Sequence, residues 1–405
     1  MLYLSERRAL LWQYGRSGEE AARQTQADLT LTENRIKVYR GQLAALQRPE
    51  LFARRRADAL RLRATAKTED GDPWAAIASA QQAYRRIEAP YQMAERALGF
   101  DSEYFKLARD LVRAGEERAK PNAQRLREYQ DAALTRLQQT VLATAPIYPA
   151  YEETRLAWSL SKLRERLGPD DPLVKLVLGR ESPEALAAKL VAGTELGDVD
   201  VRRKLWDGGF EAVSASTDPF IQLARAVDSV SRDLRQRYET QVEAVENKQA
   251  AVIARLRFAT FGDALYPDAT FSLRLSYGEV RGWEENGRKI EPFTRIGGLF
   301  SRATGAEPFA LPPSWRKVES TLDMETPFNF VTTNDIIGGN SGSPVINRNR
   351  EVVGLAFDTN IHALGGAFGY DETLNRCVAV HSAAMLESLE KVYGAGTLAR
   401  EMTAK

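Results

Sequence analysis

Two hydrophobic periods divide the chain. As far as about residue 257, apolar positions recur at helical spacing among Ala, Leu, Arg, Glu and Gln. In LTENRIKVYRGQLAALQ the pattern sets Ile36, Tyr39, Leu43 and Leu46 on one stripe, the face a helix would bury. In RESPEALAAKLVAG, Ser182 is placed to cap a helix and Pro183 fits its first turn. Leu186 and Leu190 stand four apart, and Gly193 is placed to stop the helix. Pro121, Pro146, Pro149, Pro169 and Pro172 punctuate the region, and no fixed repeat is visible, which predicts an irregular helical bundle.

The period changes to two after about Phe258. ATFSLRLSYG places Phe271, Leu273 and Leu275 on one face and Ser272, Arg274 and Ser276 on the other, the pattern of a strand. Asn286-Gly287 is a hairpin turn signal between two short strands. Further strands are expected at FNFVTT (Phe328–Thr333), SPVIN (Ser343–Asn347) and EVVGLAFD (Glu351–Asp358), with Asn347–Arg350 as the polar turn between the last two. From His381 onward HSAAMLESLEKVYGAGTLAREM reads as a helix broken at Gly394. The expectation is an α+β protein: a large irregular helical domain over 1–257, a compact β domain over 258–380 and a C-terminal helix over 381–405.

Composition narrows the function classes. The 56 basic and 55 acidic side chains nearly cancel, so no global field favours nucleic acid or an anionic membrane. The most basic stretch, ARRRADALRLR (Ala53–Arg63), interleaves Ala and Leu at helical spacing, as a solvated helix face does. No apolar run reaches membrane-spanning length, and the N-terminal residues MLYLSERRALLWQYG do not form a signal peptide. One cysteine, Cys377, and two histidines, His362 and His381, argue against disulfides, a metal site or a metal cofactor.

The sharpest local signal is GGNSGSPVIN. In β-barrel serine peptidases the nucleophile sits in a Gly-Asx-Ser-Gly-small-Pro turn ahead of a buried strand. Glycines let the backbone bend so that two N–H groups converge on the carbonyl under attack. On this pattern Ser341 is the candidate nucleophile, and the N–H groups of Gly339 and Ser341 form the candidate oxyanion hole. An α/β-hydrolase is not expected, because that fold needs glycine two residues after the serine and a helix following it; here Ser343 and a strand follow. No histidine precedes Ser341, whereas in β-barrel peptidases the histidine and aspartate come first.

TNDIIGGNSGSPVINRNREVVGLAFDTNI, YPDATFSLRLSYGEVRGWEENG, TPFNFVTTNDI and VAVHSAAMLESLEKVYGA together resemble the S46 peptidases, bacterial dipeptidyl-peptidases of the types numbered seven and eleven. LLWQYGRSGEEA, ENRIKVYRGQ and VRRKLWDGGFEAV extend the resemblance through the helical part. It implies a chymotrypsin-like double β-barrel with a helical domain inserted between its halves, acting on oligopeptides with a free N-terminus. On that comparison the chain holds the helical domain and the second barrel half, and the triad histidine and aspartate lie upstream. The resemblance further implies that Asp358 and Asn34 bind the substrate α-amine. Thr359 would occupy the position that sorts P1 preference, where arginine accompanies acidic P1 and glycine apolar P1. It also implies a periplasmic or outer-membrane-associated homodimeric parent.

The leading expectation is therefore a serine-type dipeptidyl-peptidase polypeptide, truncated and inactive as given. One alternative is a non-enzymatic peptide-binding or scaffold fragment. Another is a self-contained hydrolase in which His362 or His381 serves Ser341.

Overall fold

A computed structural model describes residues 1–67, 71–262, 273–306 and 309–404. Its backbone divides into two compact units, Leu2–Thr32 with Arg61–Leu265, and Met1 with Glu33–Leu60 and Tyr266–Lys405. The expected boundary at 257/258 falls inside a helix that ends at Phe261. Residues 33–60, expected in the helical domain, cluster with the strands, as does the C-terminal helix.

The first helices are α1 (Leu2–Gly15), α2 (Glu19–Leu46), α3 (Pro49–Thr65), α4 (Pro73–Pro90), α5 (Glu103–Arg118) and α6 (Asp131–Val141). They are followed by α7 (Pro149–Leu167), α8 (Pro172–Leu178), α9 (Pro183–Gly193), α10 (Val199–Ala215), α11 (Pro219–Tyr238) and α12 (Ala244–Phe261). Caps follow the sequence signals: Ser182 accepts from the Ala185 N–H at 3.1 Å, and Pro149, Pro172 and Pro183 open their helices. The helical unit's core contains stacked Phe100 and Phe105 and the fully buried Leu156, Leu160 and Leu163. Buried Arg113 joins α5 to α11 through Asp228 at 2.6 Å and also reaches Glu95 at 2.6 Å. Both charges of each pair are thereby satisfied inside the bundle.

Among the described residues the other unit holds seven strands: β1 (Trp283–Glu285), β2 (Arg288–Ile290), β3 (Phe293–Arg295), β4 (Pro327–Thr332), β5 (Pro344–Ile346), β6 (Val352–Thr359) and β7 (Cys377–His381). β1 and β2 form the expected hairpin, with Asn286 and Gly287 both at positive φ, 51° and 74°. The rest make one antiparallel sheet in the order β3-β4-β7-β6-β5. Its buried face includes Phe330, Ala356 and Ala379. Short helices α13 (Gly297–Arg302), α14 (Pro313–Val318), α15 (Ser382–Glu387) and α16 (Gly396–Thr403) complete the unit. The break expected at Gly394 is present, with φ at 63°.

Two expectations from periodicity fail. The strand over 271–276 is not formed in its described part. Leu273 is fully exposed, Leu275 is 77% exposed, and pairing begins only at Val280, which bridges to Thr332. Phe271 and Ser272 lie outside the described residues. Alternation defines two faces but does not supply a neighbouring strand. On α2, Ile36 is buried as expected, but Tyr39, Leu43 and Leu46 are exposed, and small residues, Gly41 and Ala45, complete the buried face. The 361–365 turn lies so close that a Cβ on Gly41 would fall 2.6 Å from Leu364, which only a small face tolerates.

Candidate functional site

The GGNSG sequence forms a tight turn leading into the edge strand β5. Gly339 and Gly342 both occupy the left-handed region, with φ of 105° and 87°, which explains glycine at these two corners. Asn340 closes the turn, its side chain and its backbone N–H both donating to the Ile337 carbonyl, at 2.8 and 3.2 Å. The turn is then fixed to β6 by two backbone bonds, Gly342 N–H to the Ala356 carbonyl at 2.7 Å and Ala356 N–H to the Ser343 carbonyl at 2.9 Å. Ser341 is exposed at the tip, and its Oγ donates to the Phe357 carbonyl at 3.3 Å.

That contact sets Ser341 beside the end of β6, where Asp358 and Thr359 follow. Asp358 is exposed, and its Oδ1 accepts from the Thr359 N–H at 2.8 Å. The strand end is held by Asn360. Its Nδ2 donates to the Leu374 carbonyl at 2.7 Å, and its Oδ1 accepts from the N–H groups of Ala363 and Arg376. Arg376, 2% exposed, donates to the carbonyls of Arg281, Gly282, Glu372, Thr373 and Asn375. Burial lowers its pKa, while five carbonyl partners supply the acceptors that a buried guanidinium requires.

Asn34 lies exposed on α2 in the same compact unit. It is seven residues before Gly41, or about 10 Å along the helix axis. Gly41 meets Leu364, and Ala45 meets Gly365, in the turn that immediately follows β6. Ser341 and Asp358 thus come together on adjoining segments, and the helix bearing Asn34 docks on the turn after Asp358.

Both histidines have partners of their own. His362 has both ring nitrogens engaged, Nδ1 with Arg48 Nη2 at 3.1 Å and Nε2 with Glu285 Oε2 at 2.9 Å. His381 caps α15, Nδ1 accepting from the Ala383 N–H at 3.1 Å, and packs between Phe293 and Phe330. Burial lowers its pKa and favours the neutral ring. Asn360, Arg376, Arg48 and Glu285 were not visible as site residues in the sequence. Only Asn360 left a trace, as an Asx residue directly after a strand.

An α+β chain with an exposed serine on a glycine-cornered turn is thus the class of protein that fold and site define. The chain belongs to the Peptidase S46 family, whose model matches residues 1–404. It is 37% identical over 147 residues to dipeptidyl-peptidase 7 of Phocaeicola vulgatus, covering 34% of this chain and 20% of that protein. It is 28% identical over 365 residues to the Asp/Glu-specific dipeptidyl-peptidase of Shewanella putrefaciens, covering 76% of this chain and 49% of that one. In fold it resembles DPP11 of Porphyromonas endodontalis in complex with the dipeptide Arg-Asp, with a TM-score of 0.74 and 19% identity over 99% of this chain and 60% of that one. The chain thus spans about half the length, or less, of these two curated relatives. No described helix is long and apolar enough to cross a membrane.

Proposed function

We propose that this chain is the helical and second-barrel portion of a serine dipeptidyl-peptidase that releases dipeptides from the free N-terminus of oligopeptides. The observation that carries the reading is the Ser341 turn clasped to β6, with Ser341 Oγ on the carbonyl next to Asp358. Ser341 is the nucleophile, and the N–H groups of Gly339 and Ser341 are the oxyanion donors. Among the described residues neither N–H donates to a protein acceptor, which leaves both for a substrate carbonyl. Asp358 and Asn34 receive the substrate α-ammonium, a carboxylate and a carbonyl acceptor suited to a cation. Thr359 carries no charge, so P1 selection by an ion pair with an acidic side chain is not part of this reading.

The five-stranded sheet is the counterpart of one half of a chymotrypsin-like barrel. With His362 and His381 committed elsewhere, the general base and its aspartate come from sequence outside these 405 residues, and the isolated chain is inactive. On this proposal the complete enzyme is a homodimer that works in the periplasm or at the outer membrane.

The test is a labelling and turnover comparison. The purified chain is expected to ignore dipeptidyl-naphthylamides and to resist fluorophosphonates. The chain fused to the N-terminal part of the Shewanella putrefaciens relative is expected to gain both reactions and to lose them in Ser341→Ala. Turnover by the isolated chain that vanishes in His362→Ala or His381→Ala would overturn the assignment of the base. Unchanged labelling in Ser341→Ala would overturn that of the nucleophile.

A further inference from the structure

The 3-10 turn Ile361–Gly365 follows Asp358, Thr359 and Asn360, and it carries one imidazole between two charged groups of the same compact unit. Arg48, in the connection between α2 and α3, meets His362 Nδ1 at 3.1 Å; Glu285, at the end of β1, meets Nε2 at 2.9 Å. The His362 side chain is only 13% exposed. A guanidinium has donors and no acceptor, so Nδ1 must be the bare nitrogen and Nε2 must carry the hydrogen that it gives to Glu285. Trp283 Nε1 donates to the same Glu285 oxygen at 2.7 Å. Hydrogen bonds from His362 and Trp283 hold Glu285 below its ordinary pKa, keeping it a carboxylate.

The chain of contacts joins two segments. Arg48 lies two residues beyond the end of α2, the helix that carries Asn34. Leu364 and Gly365, on the same turn as His362, pack on Gly41 and Ala45 of α2. Further along, Arg55 of α3 donates to the Phe368 carbonyl. Asp371 also lies in the field of Arg54 and Arg48. Asn375, with its side-chain amide turned to satisfy both its atoms, donates to the His362 carbonyl at 3.2 Å.

We propose that His362, held between Arg48 and Glu285, is a positioning residue that latches the Asn34 helix to the Asp358 end of β6 and that protonation at Nδ1 opens the latch. The functional half rests on the reading of Asn34 and Asp358 as amine anchors. A proton on Nδ1 turns the acceptor that meets Arg48 into a second donor and sets two cations against each other. The imidazolium keeps Glu285 and loses Arg48. Capture of a peptide amine then weakens as the surroundings acidify, because its two acceptors no longer share one fixed frame.

Hydrogen exchange on the 405-residue chain tests this without catalysis. After correction for intrinsic rates, residues 41–48 and 359–365 should lose protection by about tenfold or more between about pH 8 and about pH 5.5, the effect of one charge-assisted hydrogen bond. The core residues of α5 and α11 should not follow. His362→Asn, whose amide oxygen can still accept from Arg48 but cannot titrate, should remain protected at both pH values. Arg48→Met, which has no donor for Nδ1, should be unprotected at both. A flat wild-type profile, or a pH response retained in His362→Asn, overturns the latch. Nitrogen-15 labelling of the two histidines gives a check that needs no folded variant at position 362, with His381→Gln supplying the assignment. A hydrogen on Nδ1 of neutral His362 overturns the proposal, and one on Nε2 supports it. Titration with free and N-acetylated hexapeptides in parallel separates the two readings. Equal binding of both peptides, with the exchange response intact, counts against the amine anchors and not against the latch.

Discussion

Asn360 and Arg376 hold each other at the base of the candidate site. The Asn360 N–H donates to the Arg376 carbonyl at 2.9 Å, and the Arg376 N–H donates to Asn360 Oδ1 at 3.1 Å. Arg376 gathers five carbonyls from two separate stretches, 281–282 and 372–375, and Asn360 transmits that rigidity to the end of β6. The position of Asp358 is therefore set by residues that make no claim on a substrate.

Asn360→Ala should destabilise the chain by about 1–3 kcal/mol. It removes one donor and one shared acceptor, so the Leu374 carbonyl and the Arg376 N–H lose their side-chain partner, while the Ala363 N–H keeps the Asn360 carbonyl at 3.1 Å. Urea unfolding of both proteins measures the difference. A loss below about 0.5 kcal/mol would mean that solvent replaces these bonds and that Asn360 does not fix the strand end.

How much of this was legible depended on whether the signal was local. The Asn286-Gly287 hairpin, the Ser182 cap and the glycine corners around Ser341 depend on backbone conformations that few residues reach, so their sequences declared them. The buried face of α2 did not declare itself. Apolar spacing nominated Tyr39, Leu43 and Leu46, but docking by Leu364 and Gly365 selected Gly41 and Ala45 instead. That choice depends on a segment more than 300 residues away. Arg376 and the Arg48–His362–Glu285 chain were hidden for the same reason, since nothing near them in sequence marks a buried arginine or a clasped imidazole.

Gly354→Ala should be costly although the residue is regular β6 backbone. A Cβ there would lie 2.4 Å from the Val380 carbonyl oxygen and 2.6 Å from the Phe330 ring. A backbone oxygen in a paired strand cannot move aside cheaply, so the expected loss is about 3 kcal/mol, the upper part of the overpacking range. Gly298→Ala, with nothing within 4 Å of its Cβ, is the control and should be neutral or slightly stabilising. Equal melting temperatures for the two variants would refute the packing argument.

Glu387 predicts a pH-dependent contribution. Burial raises its pKa, but hydrogen bonds from Thr326 and the Asp323 N–H, with the Lys391 ion pair, outweigh burial and leave it below the ordinary 4.5. A depressed folded pKa means that the contribution is complete above about pH 4.5 and is lost as pH falls through the folded value. Glu387→Gln should therefore be about 1–2 kcal/mol less stable than wild type at pH 7, and the gap should close in acid. A gap that persists undiminished at pH 3 would show that shape, not charge, sets the role of Glu387.

Asp358→Asn should discriminate between substrates by their amino ends. In the fusion that supplies a base, a free α-ammonium loses its charged partner, and kcat/KM should fall roughly tenfold to a hundredfold, because only an amide remains to receive it. An N-acetylated peptide presents no cation, so it should be poor with wild type and lose little more in the variant. Asp358 also accepts the Thr359 N–H, a bond that the asparagine side-chain oxygen can retain, which keeps the strand end in place. Asn34→Ala offers an independent reading of the same site, since it removes the second acceptor without altering charge. Both variants should raise KM for free peptides more than they lower kcat, because the amine is held equally in ground and transition states. Equal losses for free and blocked peptides would show that Asp358 shapes the strand end and does not anchor the amine.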